Sequence, residues 1–294
     1  MKYAIQLKIT YDYPSAVTDA RHLLRVRPRS DGGQTPEEVK VTISPRAGEH
    51  ARETDFCGNG IDAIAFFSPQ TELAMIMQST VTVDRPPLDL GATPDLAEVE
   101  AQALGCRSTD GASPLHYLGP SRRIAPLSAL TAYVAETLDE PGQSAGEAVM
   151  SLTKRIRKDF AYDPEATSVG TTVAEAFASK RGVCQDFSHV MIAGLRANGI
   201  PARYVSGFLR TEPPKGQPRL EGADAMHAWV DVWLGEKIGW IGFDPTNAIP
   251  AGNDHIVVAV GRDYSDALPI GGTFVTAGPQ KTAHFVDVVP IEEG

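Results

Sequence analysis

The chain of 294 residues has only 3 cysteines, too few for the disulfide framework of a small secreted protein. The odd count leaves at least one thiol unpaired, and a reducing compartment suits such a chain. Basic residues are scarce as well, because 27 lysines and arginines stand against 37 aspartates and glutamates, a formal net charge of −10. A nucleic-acid or anionic-membrane surface needs a basic patch, so the composition argues against both partners.

Long apolar runs are also missing. No stretch approaches the roughly 18 continuous apolar residues of a membrane span. Residues 1–10 place lysines inside an alternating pattern, unlike a secretory signal peptide. We therefore expect a cytoplasmic, soluble protein. The chain is 42% hydrophobic and 22% charged, which is enough core material for a globular fold, and its length favours two domains.

The first 85 residues have the pattern of a β domain. Apolar and polar residues alternate from Tyr3 to Tyr11, the period of a strand with one buried face. Turn sequences such as Gly58-Asn59-Gly60 separate shorter runs of the same kind. These runs are Leu24–Arg27, Val39–Ile43, Ile61–Phe67, Leu73–Met77 and Thr80–Asp84. We predict an antiparallel β domain over 1–85 and a connecting segment over 86–121, which shows no clean period.

Residues 122–294 are predicted to form a second domain, which begins with helices. Apolar residues recur at helical spacing from residue 127 to residue 138. Capping boxes mark the starts of two further helices. They pair Ser144 with Glu147 and Thr172 with Glu175. The second of these helices should stop near Lys180, because Gly182 can adopt the left-handed conformation that ends helices.

Another helix begins at about Cys184, and Asn198-Gly199 followed by a proline ends it. The chain then turns to strands, which we place at Arg203–Leu209, His227–Leu234 and Trp240–Asp244. Residues 211–224 read as a long hairpin connection. The last strands, within 272–290, could pair with either domain. The expected fold class is α+β.

Cys184 occupies the first turn of its predicted helix. Unpaired backbone N–H groups and the positive end of the helix dipole favour the thiolate form of a cysteine there. His227 lies on a strand whose opposite face is apolar, so its imidazole can face the start of that helix. Asp244 ends the next strand, where a carboxylate can accept the imidazole N–H and fix its tautomer. The three residues therefore fit a Cys-His-Asp triad with Cys184 as nucleophile.

Three stretches resemble the motifs of bacterial transglutaminase-like proteins. They are Gly182-Val183-Cys184-Gln185-Asp186 for the cysteine, Met226-His227-Ala228-Trp229 for the histidine, and Gly239-Trp240-Ile241-Gly242-Phe243-Asp244-Pro245 for the aspartate. Asp254-His255-Ile256 also fits the pattern. Residues 1–85 are similar to the β-rich region that often precedes this domain. The resemblance implies a papain-related core in which the cysteine helix packs against an antiparallel sheet that holds the histidine and the aspartate.

The resemblance also implies a reaction. The thiolate attacks an amide or ester carbonyl, and water or an amine resolves the resulting thioester acyl-enzyme. We expect a peptidase or amidase that acts on a peptide, a protein or a small amide, with transglutaminase-type transfer to an amine as the alternative. The rival from another class is a binding or assembly module that keeps the fold without catalysis. No cofactor and no metal are expected, because zinc ligands commonly come in close pairs such as Cys-x-x-Cys and none occurs here.

Donors for the developing oxyanion are harder to place. The backbone N–H of Cys184 at the helix start is one. In animal transglutaminases a tryptophan supplies a second donor and a tryptophan follows the nucleophile, but here Gln185 stands at that position. Tyr162, ahead of the catalytic helix, is our candidate for the second donor. We expect Gln185, Trp229 and Trp240 to build the wall of the cleft.

Simpler explanations exist for each triad residue. A single cysteine at a helix start is more often a buried small residue than a nucleophile. Asp244 before a proline could be a turn residue, and a lone histidine beside tryptophans is usually a packing residue. The three motifs in order favour catalysis. His189, five positions after Cys184, is expected to have a structural role.

Overall fold

Two large antiparallel sheets, a two-stranded parallel pair and five α-helices make up the part of the chain that the computed structural model describes, residues 1–211, 224–275, 278 and 280–291. The strands are β1 Lys2–Leu24, β2 Gln34–Ser44, β3 Glu49–Thr54, β4 Gly60–Phe66, β5 Gln70–Val83, β6 Ala161–Tyr162, β7 Arg181–Gly182, β8 Ala202–Leu209, β9 Ala225–Trp233, β10 Trp240–Asp244, β11 Ile249–Pro250, β12 His255–Gly261, β13 Ile270–Val275 and β14 Lys281–Pro290. The helices are α1 Leu96–Gly105, α2 Ser128–Leu138, α3 Ala145–Asp159, α4 Val173–Ser179 and α5 Cys184–Ala197. The predicted α+β fold class is confirmed.

Strand β1 is the axis of the first sheet, whose order is β2-β5-β1-β4-β3. Its 23 residues pair with β5 and β14 first, and then with β4 and β13. The register shifts between Asp12 and Val17, and Asp19 has a φ of 50°. The prediction of separate short strands here is wrong, because a bulge carries the chain past Pro14, where the alternation fails.

The last strands join this first sheet. β14 pairs with β1 from Tyr3 to Asp12, and β13 pairs with its later part. Val286 and Val288 of β14 are buried in the same core as the N-terminal strands. The C-terminal end of the chain therefore completes a sheet that its first residues begin.

The second sheet has the order β11-β10-β9-β8-β12, and α5 packs against β8 and β9. The buried face of α5 carries Phe187, Val190, Met191 and Leu195, as the sequence pattern predicts. Helices α2, α3 and α4 pack around α5, and both predicted capping boxes are formed at the starts of α3 and α4. Of the predicted hairpin connection, residues 212–223 lie outside the described part of the chain. No helix within the described ranges is both long and apolar enough to cross a bilayer.

Helix α4 ends near Lys180, as predicted, but a different residue takes the left-handed conformation there. Lys180, with φ 53°, takes the left-handed conformation, whereas Gly182 has φ 158°. The cost of a left-handed lysine is offset by its side chain, whose Nζ lies 3.6–4.4 Å from the centres of three aromatic rings. These rings belong to Tyr133, Phe160 and Phe177. The cation thereby anchors the segment that leads into α5.

The two sheets share a hydrophobic core. Phe208 of β8 and Ile256 and Val258 of β12 are buried among the side chains of the N-terminal strands. Each of these three side chains is 2% exposed or less, so removal of the first sheet would bare apolar surface on the second. Strand β12 is the edge of the second sheet at this contact, and it leads directly to the candidate site.

Candidate active site

Cys184 is the first residue of α5, so its backbone N–H has no acceptor within the helix. The preceding residue, Val183, is extended, with φ −111°. The Asp186 carboxylate accepts the N–H of Val183 at 2.9 Å and the hydroxyl of Thr167 at 2.7 Å. The half-buried thiol is thus presented by a helix start whose backbone is fixed from within the first turn.

Gly182 is required by this cap. A Cβ at residue 182 would lie 2.5 Å from Oδ2 of Asp186, well inside van der Waals contact. Any other residue would push Asp186 away from the Val183 N–H. The spacing Gly-Val-Cys-Gln-Asp therefore has a packing reason: the glycine makes room for the carboxylate that fixes the turn carrying Cys184.

His227 faces Cys184 from β9. Its Nε2 lies 2.8 Å from Oδ2 of Asp244, which leaves Nδ1 for another partner. The side chain is 9% exposed. Burial by itself lowers the pKa of His227, but Asp244 and the neighbouring Cys184 outweigh burial and raise this pKa to about 10. The arrangement favours the imidazolium form of His227.

The Asp244 carboxylate is fully buried and fully hydrogen-bonded. Its Oδ1 accepts the backbone N–H groups of Thr246 and Asn247 at 2.9 and 3.1 Å. Its Oδ2 faces three side chains, His227 at 2.8 Å, Asn247 at 2.7 Å and His255 at 3.2 Å. Burial alone would raise the pKa of Asp244, but these bonds hold it far below its usual range. Asp244 is thus a turn residue and the partner of His227 at once.

His255 is the residue at this site to which sequence reasoning assigned no role. It follows Asp244 by 11 residues and comes from another strand, so no spacing pattern links the two. The ligand atoms of His227, Asp244 and His255 lie within 4.8 Å of one another, which could suit a metal ion. The hydrogen bonds account for this closeness, because Oδ2 of Asp244 lies at hydrogen-bonding distance from both imidazoles.

Three tyrosines lie around Cys184. Tyr162 is 54% exposed at the end of β6, next to Gly182 of β7. Burial and then the charge of Cys184 raise the pKa of Tyr162 and, far more, that of the buried Tyr204. Burial also raises the pKa of Tyr264. All three hydroxyls therefore stay protonated and able to donate, whereas the sequence singled out Tyr162 alone.

Trp229 lies under the imidazoles. It is 1% exposed, its ring is stacked 6.1 Å from that of His227, and it meets His255 edge-on at 5.1 Å. A buried aromatic wall keeps water from the Asp244 side and limits rotation of both imidazoles. Trp229 therefore lies behind the imidazole of His227.

Gln185 and Trp240 occupy different places. Gln185 follows the nucleophile, is 8% exposed, and its amide reaches the carbonyl of Val169 at 3.4 Å. Trp240 packs away from the nucleophile: its indole N–H donates to the carbonyl of Ala112 at 2.9 Å, and Arg203 covers its ring at 4.4 Å. Of the two, Gln185 is the one beside Cys184.

His189 anchors the opposite side of α5. It is 2% exposed, and its Nε2 accepts the backbone N–H of Tyr264 at 3.2 Å. Burial lowers the pKa of His189 to about 4, although Asp263 opposes the shift. A neutral imidazole that accepts a backbone N–H holds the Tyr264 turn next to the helix that carries the nucleophile.

Comparisons with known proteins identify two family regions in the chain. Residues 131–245 match the transglutaminase-like superfamily, and residues 3–82 match the bacterial transglutaminase-like N-terminal region. An uncharacterized protein of Mycobacterium tuberculosis is 33% identical over 303 residues, which is 99% of this chain and 93% of that protein. A protein-glutamine gamma-glutamyltransferase of Pseudomonas aeruginosa is 37% identical over 102 residues, 33% of this chain and 15% of that protein.

The fold has a solved counterpart. A crystal structure from Cytophaga hutchinsonii, described as that of a candidate cysteine protease, superposes with a TM-score of 0.77 at 21% identity. It covers 100% of this chain, and 92% of that chain is matched. At this identity the likeness shows the fold. With two family regions matched and a relative aligned along almost the whole chain, the protein belongs to the transglutaminase-like superfamily, in the form that carries the bacterial N-terminal region.

Proposed function

We propose that this protein is a cysteine-dependent enzyme in which the Cys184 thiolate attacks an amide or peptide carbonyl and forms a thioester acyl-enzyme. One observation carries the proposal: Cys184 starts a helix beside His227, whose Nε2 lies 2.8 Å from the buried carboxylate of Asp244. This is the arrangement by which a base activates a thiol nucleophile and a third group orients the base.

We assign a role to each group in the reaction. Sulfur attack on the carbonyl carbon gives a tetrahedral oxyanion, which the N–H of Cys184 stabilises together with a tyrosine hydroxyl, in our proposal that of Tyr162. The imidazolium of His227 gives its proton to the leaving amine, and the C–N bond breaks to leave the thioester. His227 then takes a proton from water or an acceptor amine as this nucleophile attacks the thioester carbon, and the C–S bond breaks to release the acid or the new amide and to restore the Cys184 thiolate. Asp244 stabilises the charged imidazole throughout.

Hydrolysis is our first choice, with a peptide, a protein or a small amide as substrate. The Cytophaga hutchinsonii structure, described as a candidate cysteine protease, supports this branch through its fold. Transfer to an amine is the second candidate, favoured by the Pseudomonas aeruginosa relative that is named a glutamyltransferase. We place the protein in the cytoplasm, where a reducing environment suits three free thiols.

The test compares the wild type with Cys184→Ala and with Cys57→Ala as a matched control. Peptides are incubated in heavy-oxygen water, with and without a primary amine, and analysed by mass spectrometry. Hydrolysis introduces heavy oxygen into the product, whereas transfer leaves an amine adduct. We expect product from the wild type and from Cys57→Ala, and none from a folded Cys184→Ala. Undiminished turnover by Cys184→Ala would refute the proposal.

The non-catalytic alternative makes a different prediction for alkylation. Burial raises the pKa of Cys57, so this thiol should react slowly with iodoacetamide at mildly acidic pH. A nucleophile paired with His227 should be labelled first, to one equivalent. Equal labelling of Cys184 and Cys57, together with no turnover of any peptide, would favour a binding or assembly module.

A further inference from the structure

His255 donates a hydrogen bond to the carboxylate that orients the catalytic histidine. Its Nδ1 accepts the N–H of Gly252 at 3.2 Å, so the proton of the neutral ring is on Nε2. That Nε2–H points at Oδ2 of Asp244, 3.2 Å away, the same oxygen that faces Nε2 of His227 at 2.8 Å. His255 is 1% exposed, and Trp229 closes its outer side. The Asp244 carboxylate is thus shared by two imidazoles, of which one faces the thiol and the other faces the protein interior.

The shared oxygen links the two histidines energetically. A donor to Oδ2 withdraws part of its negative charge from the bond with His227, and it also fixes the plane of the carboxylate. Loss of the His255 donor would leave one lone pair of a buried oxygen without its partner and let the carboxylate turn. The pair of Cys184 and His227 would then be held less accurately, and the bond between Asp244 and His227 would change strength.

The strand that carries His255 is held from outside by the N-terminal sheet. β12 pairs with β8 on one side only, and its other edge meets two buried amide side chains. Gln34 accepts the N–H of Val257 and donates to its carbonyl, both at 2.8 Å. Asn59 does the same for Val260, at 2.8 and 2.7 Å. Because the strand register shifts between Val257 and Ala259, the backbone N–H and C=O groups of both Val257 and Val260 point to this edge.

Arg85 extends this hold to His255 itself. Its Nη1 donates to the carbonyls of His255 and Gly252, the two ends of the turn that sets the imidazole. Its Nη2 donates to Oε1 of Gln34 at 3.1 Å, so the arginine and the amide form one cluster. Tyr3 of β1 adds a hydrogen bond to Asp254, at 2.7 Å from its hydroxyl. Every one of these side chains comes from residues 1–85.

We propose that His255 is a positioning residue of the triad, and that the N-terminal sheet holds it on Asp244 through Gln34, Asn59 and Arg85. The inference rests on the proposed function of Cys184 and His227. It gives the first sheet a part in catalysis without contact with the substrate. The ionisable groups that face the paired imidazoles are Cys184 from α5 and Asp244 from the end of β10, with Arg85 on the carbonyl of His255.

The test uses the full chain and a readout that needs no substrate. The rate of Cys184 alkylation by iodoacetamide is followed by intact mass from pH 5 to pH 11 in the wild type, His255→Phe and His255→Gln. The alkaline step of this profile reports loss of the proton from His227. In His255→Phe we expect the alkaline step to move up by about half a pH unit. The negative charge of Asp244 is then no longer shared with His255, so it raises the pKa of His227 further. The glutamine side chain keeps an N–H donor and should restore most of the wild-type profile.

A matched pair of variants tests the role of the N-terminal sheet. Gln34→Met removes the amide that holds β12, whereas Gln78→Met removes an exposed amide that bonds to Gln6 on the same sheet. Gln34→Met should shift the alkaline step in the same direction as His255→Phe, and Gln78→Met should leave it in place. The double variant of Gln34 and His255 should shift no further than His255→Phe alone, because the two act through one hydrogen bond.

The outcomes separate this inference from the proposed function. An unmoved alkaline step in folded His255→Phe, or a shift in His255→Gln as large as that in His255→Phe, would overturn the positioning role. If His255→Phe does not fold, the comparison of Gln34→Met with Gln78→Met decides, and equal profiles count against the proposal. Failure of the proposed function appears elsewhere, as the absence of turnover and of selective Cys184 labelling in the wild type.

Discussion

The two ends of the triad differ in how completely their surroundings are fixed. The carboxylate of Asp244 is fully buried and has five N–H groups within hydrogen-bonding distance, whereas the thiol of Cys184 is half-buried and its neighbour Tyr162 is 54% exposed. His227 connects the two. The fold therefore holds the orienting end rigidly and leaves the reacting end open to a substrate, as positioning of a nucleophile requires.

The largest loss of activity is expected when the charge at the rigid end is removed. Asp244→Asn would replace an acceptor of the His227 N–H with a group that can donate, which favours the wrong imidazole tautomer. We expect kcat/KM to fall by about 10⁴, as for the equivalent change in a serine triad. Peptide turnover measures it, with circular dichroism as the check on folding. Asp159→Asn, on the surface at the end of α3, is the control, and equal turnover of the two variants would contradict the assignment.

At the reacting end, the largest effect of a change that leaves Cys184 in place is expected from Gly182→Ala. The added Cβ lies 2.5 Å from Oδ2 of Asp186 and displaces the turn that carries Cys184. A shift of about 1 Å in the nucleophile should cost roughly 10²-fold in kcat. In Gly170→Ala the new Cβ meets Ser168 Oγ at an ordinary 3.7 Å, so that variant should retain activity. Steady-state kinetics of the pair decide, and full activity in Gly182→Ala would show that the cap has no role in positioning.

A smaller effect is expected from Tyr162→Phe. If its hydroxyl helps to bind the oxyanion, kcat should fall by about tenfold with little change in KM. That loss is below the ~10²–10³ of enclosed donors, because an exposed hydroxyl competes with water. Tyr204→Phe and Tyr264→Phe provide matched comparisons. A normal kcat in Tyr162→Phe with a reduced kcat in either of the others would move the second donor to that tyrosine.

The smallest expected effect is a gradual change in the free energy of unfolding with pH. The folded-state pKa of His227 is raised from 6.5 to about 10, so its protonated form stabilises the fold. This contribution is complete below pH 6.5 and is lost as the pH rises through 10. The free energy of unfolding of the wild type should therefore decrease over this window relative to that of His227→Gln. Denaturant titrations at pH 6, 8 and 10 measure the difference, and a constant difference would show that His227 is not held as an imidazolium.

Local signals made much of the catalytic region predictable. The capping boxes place the starts of α3 and α4, and the start of α5 at Cys184 follows from glycine and apolar spacing. Such signals act within a few residues, and one sequence displays them directly. Cys184, His227 and Asp244 could be proposed as a triad because each lies at the end or on the face of a predictable element and because three motifs resemble those of one family.

Longer-range features were not accessible from the sequence. The bulge that keeps β1 continuous depends on partners that follow at distant positions, up to β14. The left-handed Lys180 is stabilised by Phe177 of its own helix together with Tyr133 and Phe160, which are distant in the sequence. His255 reaches Asp244 from β12, a strand that pairs with β8 and whose other edge bonds to Gln34 and Asn59. Each is decided by packing between elements, which periodicity does not encode.

The amide contacts along β12 have a consequence for the behaviour of the protein in a crowded solution. An uncovered edge strand offers unpaired N–H and C=O groups to strands of other chains, and it is a usual starting point for aggregation. Gln34 and Asn59 occupy these groups at Val257 and Val260 with side chains that cannot extend the sheet. A strand from another chain cannot pair at these positions while the two amides hold them, so the edge of the second sheet is closed from within the same chain.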